Sequence, residues 1–434
     1  MSQLRCLRLL VAALCCLPLS CANFRKLGQD LKLIRDEYRI SGTVGNTSEH
    51  DCPVRAIVVE WDRGSNKVFS ADLVELTDGG SFVFLVKSPL HQYVAAHADR
   101  NRDGRYNEGE PFWIHRDASG VAAPVPLDAS GRSVRLKGLL TTAEKPPKEL
   151  LGAIADAIGG REYSQFISNK GVRFAIGEKA ELDDPRFAAT RGGDGLWTPA
   201  TFAIQSGFGI YFLEDYDPSK TPVLFVHGAA GSPQDWRPAM EKIDRKRYQP
   251  WFYYYPSGMR LDSAADALNE AVGSLHARYR FARLHVVAHS MGGLVSRRFI
   301  QNNVLRDGNP YINTFITFSS PWDGHEAAAM GVKYAPEVVP SWRDMEHGSD
   351  FLDHLFDQRL KGRVAHHLFY GHQAKRSALL PAENDGTVSV ASQLRKAAVS
   401  DAVSVSGFDE SHVSILTSRE ALGEGLRILN AANH

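Results

Sequence analysis

Residues 284–296 constrain this chain more than any other stretch. An apolar run over 284–288 enters Ala288-His289-Ser290-Met291-Gly292-Gly293, and a helical pattern follows over 294–301. A buried strand that turns sharply into a helix holds the residue at its apex in a strained conformation. A serine there projects its Oγ above the sheet, and small flanking residues let strand and helix pack closely. Ala288 replaces the first glycine of the usual GxSxG string, one small residue for another. Ser290 is therefore the candidate nucleophile, and a merely structural turn is the competing reading.

The text around it alternates short apolar strands with amphipathic helices. Strands are expected at 222–226, 248–255, 314–318, 367–370 and 402–405. A helix is expected at 262–279, with Ala264, Ala265, Leu268, Val272 and Leu275 at helical spacing and Asp262 placed to cap it. Such alternation predicts a mainly parallel sheet with helices on both faces. This unit is expected over 205–434.

A serine hydroxyl is a weak nucleophile at neutral pH and needs a histidine to take its proton and a carboxylate to orient that imidazole. On a sheet of this kind the chain order is serine, acid, histidine. Downstream of Ser290, Asp385 lies in Glu383-Asn384-Asp385-Gly386-Thr387, after an expected strand. His412 lies between the last expected strand and the last helix. Glu383 and Asp323 are rival acids. Of the sixteen histidines, His325, His366, His367 and His372 precede Asp385 and break the expected order, while His289 should point away from Oγ. Val226-His227-Gly228-Ala229-Ala230-Gly231 closes another strand. Its small residues would leave backbone N–H groups free to face a developing negative charge, with Ala229 and Met291 as the two donors. An ordinary glycine-rich turn is the alternative.

Together, residues 224–231, 252–258, 285–293 and 314–324 and the Asp385 and His412 segments resemble bacterial α/β-hydrolase lipases and esterases. The nearest resemblance is to the GPI inositol-deacylase-like branch, with its Tyr-Pro-Ser-Gly and Ala-His-Ser-Met-Gly-Gly phrases. The resemblance spans roughly 205–432 and says nothing of the N-terminal half. It implies an α/β-hydrolase fold and hydrolysis of carboxylic esters, lipid-like ones included, without an organic cofactor. Residues 324–360, with Trp342, Phe351, Leu352, Leu355 and Phe356, either cap the site or bury a helix against the sheet.

The N-terminal half reads differently. Over 38–140, short β-rich runs at 55–61, 81–86, 91–98 and 133–139 are separated by Gly, Asp, Asn and Ser clusters, as in a small β-sandwich. Residues 141–204 read as a connector with a helix at 149–157. The run from Asp99 to Glu110 matches a twelve-residue calcium loop, with oxygen ligands expected from Asp99, Asn101, Asp103, the Arg105 carbonyl and Glu110. It follows an expected strand and precedes Pro111, unlike an EF-hand. A metal-free polar turn is the alternative.

Residues 1–22 read as an export leader: Arg5 and Arg8 precede an apolar run over 9–19, too short to span a bilayer. Cleavage after Ala22 would release the chain. Lipidation of Cys21, in an imperfect lipoprotein box, would tether it to a membrane. Four of five cysteines lie in this leader, so disulfides should not hold the fold. With 50 basic and 50 acidic residues and no block of like charge, nucleic acid is not an expected partner. An acyl-ester or lipid substrate is. Two other functions remain open: acyl transfer by the same triad, and a binding role for the β-domain.

Overall fold

The computed structural model describes residues 20–35, 38–47, 50–76, 80–103, 105–127, 133–158, 174–373, 380–381 and 383–432. The leader expected at 1–22 lies almost wholly outside them. No described helix is long and apolar enough to cross a membrane.

Among the described residues, the helix Ser20–Arg35 is followed by seven strands that build two sheets: β1 Tyr38–Gly45, β2 Val54–Asp62, β3 Lys67–Leu76, β4 Ser81–Val86, β5 Gln92–Ala98, β6 Phe112–Ile114 and β7 Ser133–Leu139. One sheet has the order β3-β2-β5-β6 and is antiparallel throughout. The other, β4-β1-β7, pairs β1 antiparallel to β4 and parallel to β7. Side chains alternate across a strand, so each sheet turns one set inward. Ile40, Val58, Phe84, Val94, Trp113 and Leu136 meet in a shared core. β1, β3 and β6 are additional to the runs expected from the sequence.

The outer faces are covered as well. Val59, Trp61, Tyr93 and Phe112 are roofed by Leu150 and Ala153 of the helix Lys148–Ile158. On β4, Phe82, Phe84 and Val86 point into the sandwich, whereas Val83 joins the core of the C-terminal half. Arg135 on β7 pairs with Glu270 at 2.7 Å. One strand thus belongs to both cores.

The second half is an eight-stranded sheet: β8 Phe174–Lys179, β9 Phe208–Phe212, β10 Thr221–Val226, β11 Tyr248–Tyr254, β12 Leu284–His289, β13 Ile312–Phe318, β14 Ala365–Gly371 and β15 Ser404–Phe408. Its order is β15-β14-β13-β12-β10-β11-β9-β8, parallel except where β9 meets β11. The supposed connector therefore supplies the edge strand β8, and the helices Ala189–Trp197 and Pro199–Gln205 follow it. The central strands are buried on both faces, which explains their continuous apolar runs. Helices Leu261–Tyr279 and Met291–Ile300 cover one face, and Arg419–Ala432 covers the other with Leu422, Ile428 and Leu429.

Asp262 does not cap its helix. It sits inside the first turn and takes a hydrogen bond from Arg298 at 2.7 Å. The Leu261 N–H goes instead to Asp344, buried and 83 residues away, at 2.7 Å. A long-range carboxylate replaces the local cap.

Candidate active site

Strand β12 delivers Ser290 to a turn with φ 53° and ψ −130°, a conformation that L-residues rarely adopt. Holding it costs of order 1–3 kcal/mol and needs support from the surroundings. The Ser290 N–H donates to the Phe318 carbonyl of β13 at 2.8 Å. A Cβ at Gly292 would lie 2.4 Å from the His227 carbonyl oxygen, so helix and neighbouring strand meet only because that position is glycine.

The two other expected residues converge on it from separate loops. His412 Nε2 stands 2.9 Å from Ser290 Oγ, and its Nδ1 stands 2.7 Å from Asp385 Oδ2. All three side chains are buried. Asp385 Oδ1 accepts the N–H groups of Val388 at 2.7 Å and Thr387 at 3.0 Å. Burial alone would push this carboxyl upward, but the hydrogen bonds from His412, Val388 and Thr387 outweigh it and hold the group below its ordinary range. Asp385 therefore stays ionised. The rivals are elsewhere: Glu383 is exposed, and Asp323 faces Arg395 at 3.4 Å.

The loop after β10 closes the other side. A Cβ at Gly228 would come within 2.9 Å of Ser290 Cβ, so backbone lies directly against the nucleophile. Ala229 and Met291 both line the cleft. Among the described residues neither of their N–H groups meets an acceptor, and Met291 occupies the first helical position, where an N–H is free by geometry.

Several contributors were not foreseen. Ser257, within the Tyr-Pro-Ser-Gly phrase, accepts the Ala230 N–H at 2.9 Å and fixes the loop that carries Ala229. His227 stacks on Tyr255 at 4.4 Å, and burial drops its pKa to about 4, so it stays neutral. Gln393, on the short helix Val390–Gln393, donates to Asp385 Oδ2 at 3.1 Å while holding both backbone groups of Gly371. The phrase around Ser257 was visible in the sequence; nothing local announces Gln393.

The histidines set aside in sequence divide. His289 does not bond Ser290; its Nε2 bonds the His412 carbonyl at 2.8 Å, and burial lowers its pKa to about 3. His366 is buried, stacks on Phe315 at 4.6 Å and bonds Thr317, while His372 is exposed. His325 does line the cleft, with Nδ1 capping the helix Glu326–Tyr334 through the N–H groups of Ala327 and Ala328. Residues 324–360 serve both expected ends: Trp342 and Met345 line the cleft, while Phe351, Leu352 and Leu355 are buried in the core.

The loop from Asp99 to Glu110 is different. Asp99 Oδ1 accepts the Asp103 N–H at 3.1 Å, and its Oδ2 pairs with Arg55. Asp103 accepts from Arg105 N–H at 2.8 Å and from the amides of Asn101 at 2.9 Å and Asn107 at 3.0 Å. Glu110 takes the N–H groups of Arg100 and Asn107, each at 2.8 Å, and the Arg105 carbonyl accepts from the Asn107 amide at 3.4 Å. The oxygens expected to bind calcium are thus held by the loop's own donors and by Arg55. Among the described residues no group of three or more His, Cys, Asp or Glu is placed to hold a metal ion.

Residues 217–355 match the family model described as PGAP1-like alpha/beta domain. No curated protein matches the chain. Among solved structures, the product of gene lin2722 from Listeria innocua is 14% identical, with a TM-score of 0.38, over 48% of this chain and 94% of that one. Bacillus licheniformis lipase BlEst2 in its mature form is 18% identical, with a TM-score of 0.37, over 50% of this chain and 94% of that one. Aspergillus fumigatus lipase B is 14% identical, with a TM-score of 0.39, over 51% of this chain and 56% of that one. Likenesses this distant say nothing about substrate.

Proposed function

We propose that the α/β-hydrolase half of this chain cleaves carboxylic esters through an acyl-enzyme on Ser290. The observation that carries the reading is the unbroken row Ser290 Oγ, His412, Asp385, at 2.9 and 2.7 Å, beside two unused backbone N–H groups. His412 Nε2 takes the hydroxyl proton as Oγ attacks the acyl carbon. The oxyanion faces the N–H groups of Ala229 and Met291. Collapse expels the alcohol, which takes the proton from His412. A water molecule then repeats the sequence, releasing the acid and restoring Ser290. Asp385 keeps the imidazole in the tautomer that accepts at Nε2 and stabilises it once charged. No organic cofactor is required.

Export belongs to the same reading and rests on the basic and apolar ends of the leader. The mature chain would begin at Asn23, or at Cys21 carrying a lipid, and mass spectrometry of the native N-terminus distinguishes these from an unprocessed protein. For the chemistry, Ser290→Ala should lower p-nitrophenyl ester hydrolysis by about 10⁴-fold or more and abolish labelling by a fluorophosphonate. Hydrolysis or labelling that persists in the variant would remove Ser290 from the mechanism.

A further inference from the structure

Phe24, Trp197 and Trp342 are 173 or more and 145 residues apart in sequence and meet at one wall of the cleft that holds Ser290 and His412. Their rings form an edge-to-face cluster: Phe24 lies 5.3 Å from Trp197 and 6.3 Å from Trp342, and the two tryptophans are 5.7 Å apart. Phe24 comes from the helix Ser20–Arg35, which precedes the whole β-sandwich in the chain. Asn23 lines the same cleft.

That helix is anchored rather than merely apposed. Leu27 is fully buried, and the buried Asp30 carboxylate takes the N–H groups of Ala200 at 2.8 Å and Thr201 at 2.9 Å. Those N–H groups open the helix Pro199–Gln205, where no intrahelical acceptor is available. Asp30 therefore ties the first helix to an element of the catalytic half, two residues after Trp197.

The cleft has a volume of about 700 Å³, within the range of roughly 300–1,000 Å³ that encloses a small molecule. Beyond the aromatic cluster its walls include Ala327, Ala328, Met345 and Leu416. Among the described residues that line it there is no Lys or Arg, so no fixed cation is offered to a phosphate or carboxylate. We infer that the N-terminal helix completes the substrate site: the aromatic wall of Phe24, Trp197 and Trp342 receives the hydrocarbon chain of an uncharged acyl ester. The inference rests on Ser290 as the nucleophile for its orientation within the cleft.

The test compares wild type with Phe24→Ala and Phe24→Leu on p-nitrophenyl esters from acetyl to palmitoyl. The ratio of kcat/KM for long chains to that for acetyl should fall about tenfold or more in Phe24→Ala, the scale on which an apolar pocket discriminates. Phe24→Leu should restore part of it. An unchanged ratio overturns the wall, whatever happens to the absolute rates. A second measurement does not depend on turnover: in the Ser290→Ala background, a methyl ester of a brominated long-chain fatty acid should quench tryptophan fluorescence saturably. Adding Phe24→Ala should weaken that binding about tenfold. Quenching that is absent, or unaffected by Phe24→Ala, overturns the wall. Quenching by the wall without hydrolysis by wild type would instead defeat the esterase reading alone.

Discussion

The loop from Asp99 to Glu110 and the loops around Ser290 use the same vocabulary of short polar side chains beside glycine, with opposite results. In the sandwich loop Asp99, Asp103 and Glu110 take neighbouring N–H groups or Arg55, so their bonds close within the sandwich and reach no reactive side chain. In the catalytic half the carboxylate of Asp385 is equally well satisfied, but the chain of bonds ends on Ser290 Oγ in an open cleft. Satisfaction of polar groups stabilises both regions. What separates a structural loop from a reactive one is where the network stops.

The contrast is most sharply tested at the acid. Asp385→Asn should reduce kcat by up to about 10⁴-fold, because an amide favours the wrong imidazole tautomer, whereas Glu383→Gln should change it by less than about twofold, as is usual for exposed positions away from the chemistry. A larger loss from Glu383→Gln would move the acid.

Next in size is a buried pair behind the site. Arg297, fully buried, lies 2.7 Å from Asp401, which also accepts the N–H groups of Leu360 and Lys361. Removing the carboxylate by Asp401→Ala leaves a buried guanidinium and two backbone donors without it, and should lower unfolding stability by about 3–5 kcal/mol. Chemical denaturation measures it; a change below about 1 kcal/mol would show the pair behaving like a surface contact.

Acid should also strike the two regions unequally. Burial lowers His227 and His325 to about 4 and His289 and His366 to about 3 in the catalytic half, against His97, at about 4, in the sandwich. A folded-state pKa below the unfolded value of about 6.5 means that the unfolded chain takes up protons first. Stability is then complete above about pH 6.5 and declines toward pH 4, by at most about 1.4 kcal/mol per pH unit for each group. Urea midpoints should fall between pH 7 and pH 5. A flat profile would mean that these imidazoles are not held neutral.

The smallest effect is expected in the sandwich. Because Asp99, Asp103 and Glu110 are already hydrogen-bonded, EDTA or added calcium should leave the melting temperature within about 1 °C, since only binding to the folded state raises it. A calcium-dependent rise would require the loop to exchange its internal bonds for a metal.

Much of the site could be read without coordinates, because its parts are local. The strand-turn-helix at Ser290, the turn that carries Asp385 and the position of His412 just after β15 are signalled by residues within a few places of each. The period of apolar residues likewise separates the parallel sheet from the sandwich. Strands β1 and β3 were less legible because polar positions interrupt them, and β6 because it is only three residues long. Tertiary structure alone decided the rest. Gln393 on Asp385, Asp344 at the start of the helix Leu261–Tyr279, Asp30 on Ala200 and Phe24 on Trp197 join residues whose spacing carries no period. Such contacts arise because buried donors and rings must find partners wherever the packed chain brings them, and that place is set by the whole fold rather than by neighbouring residues.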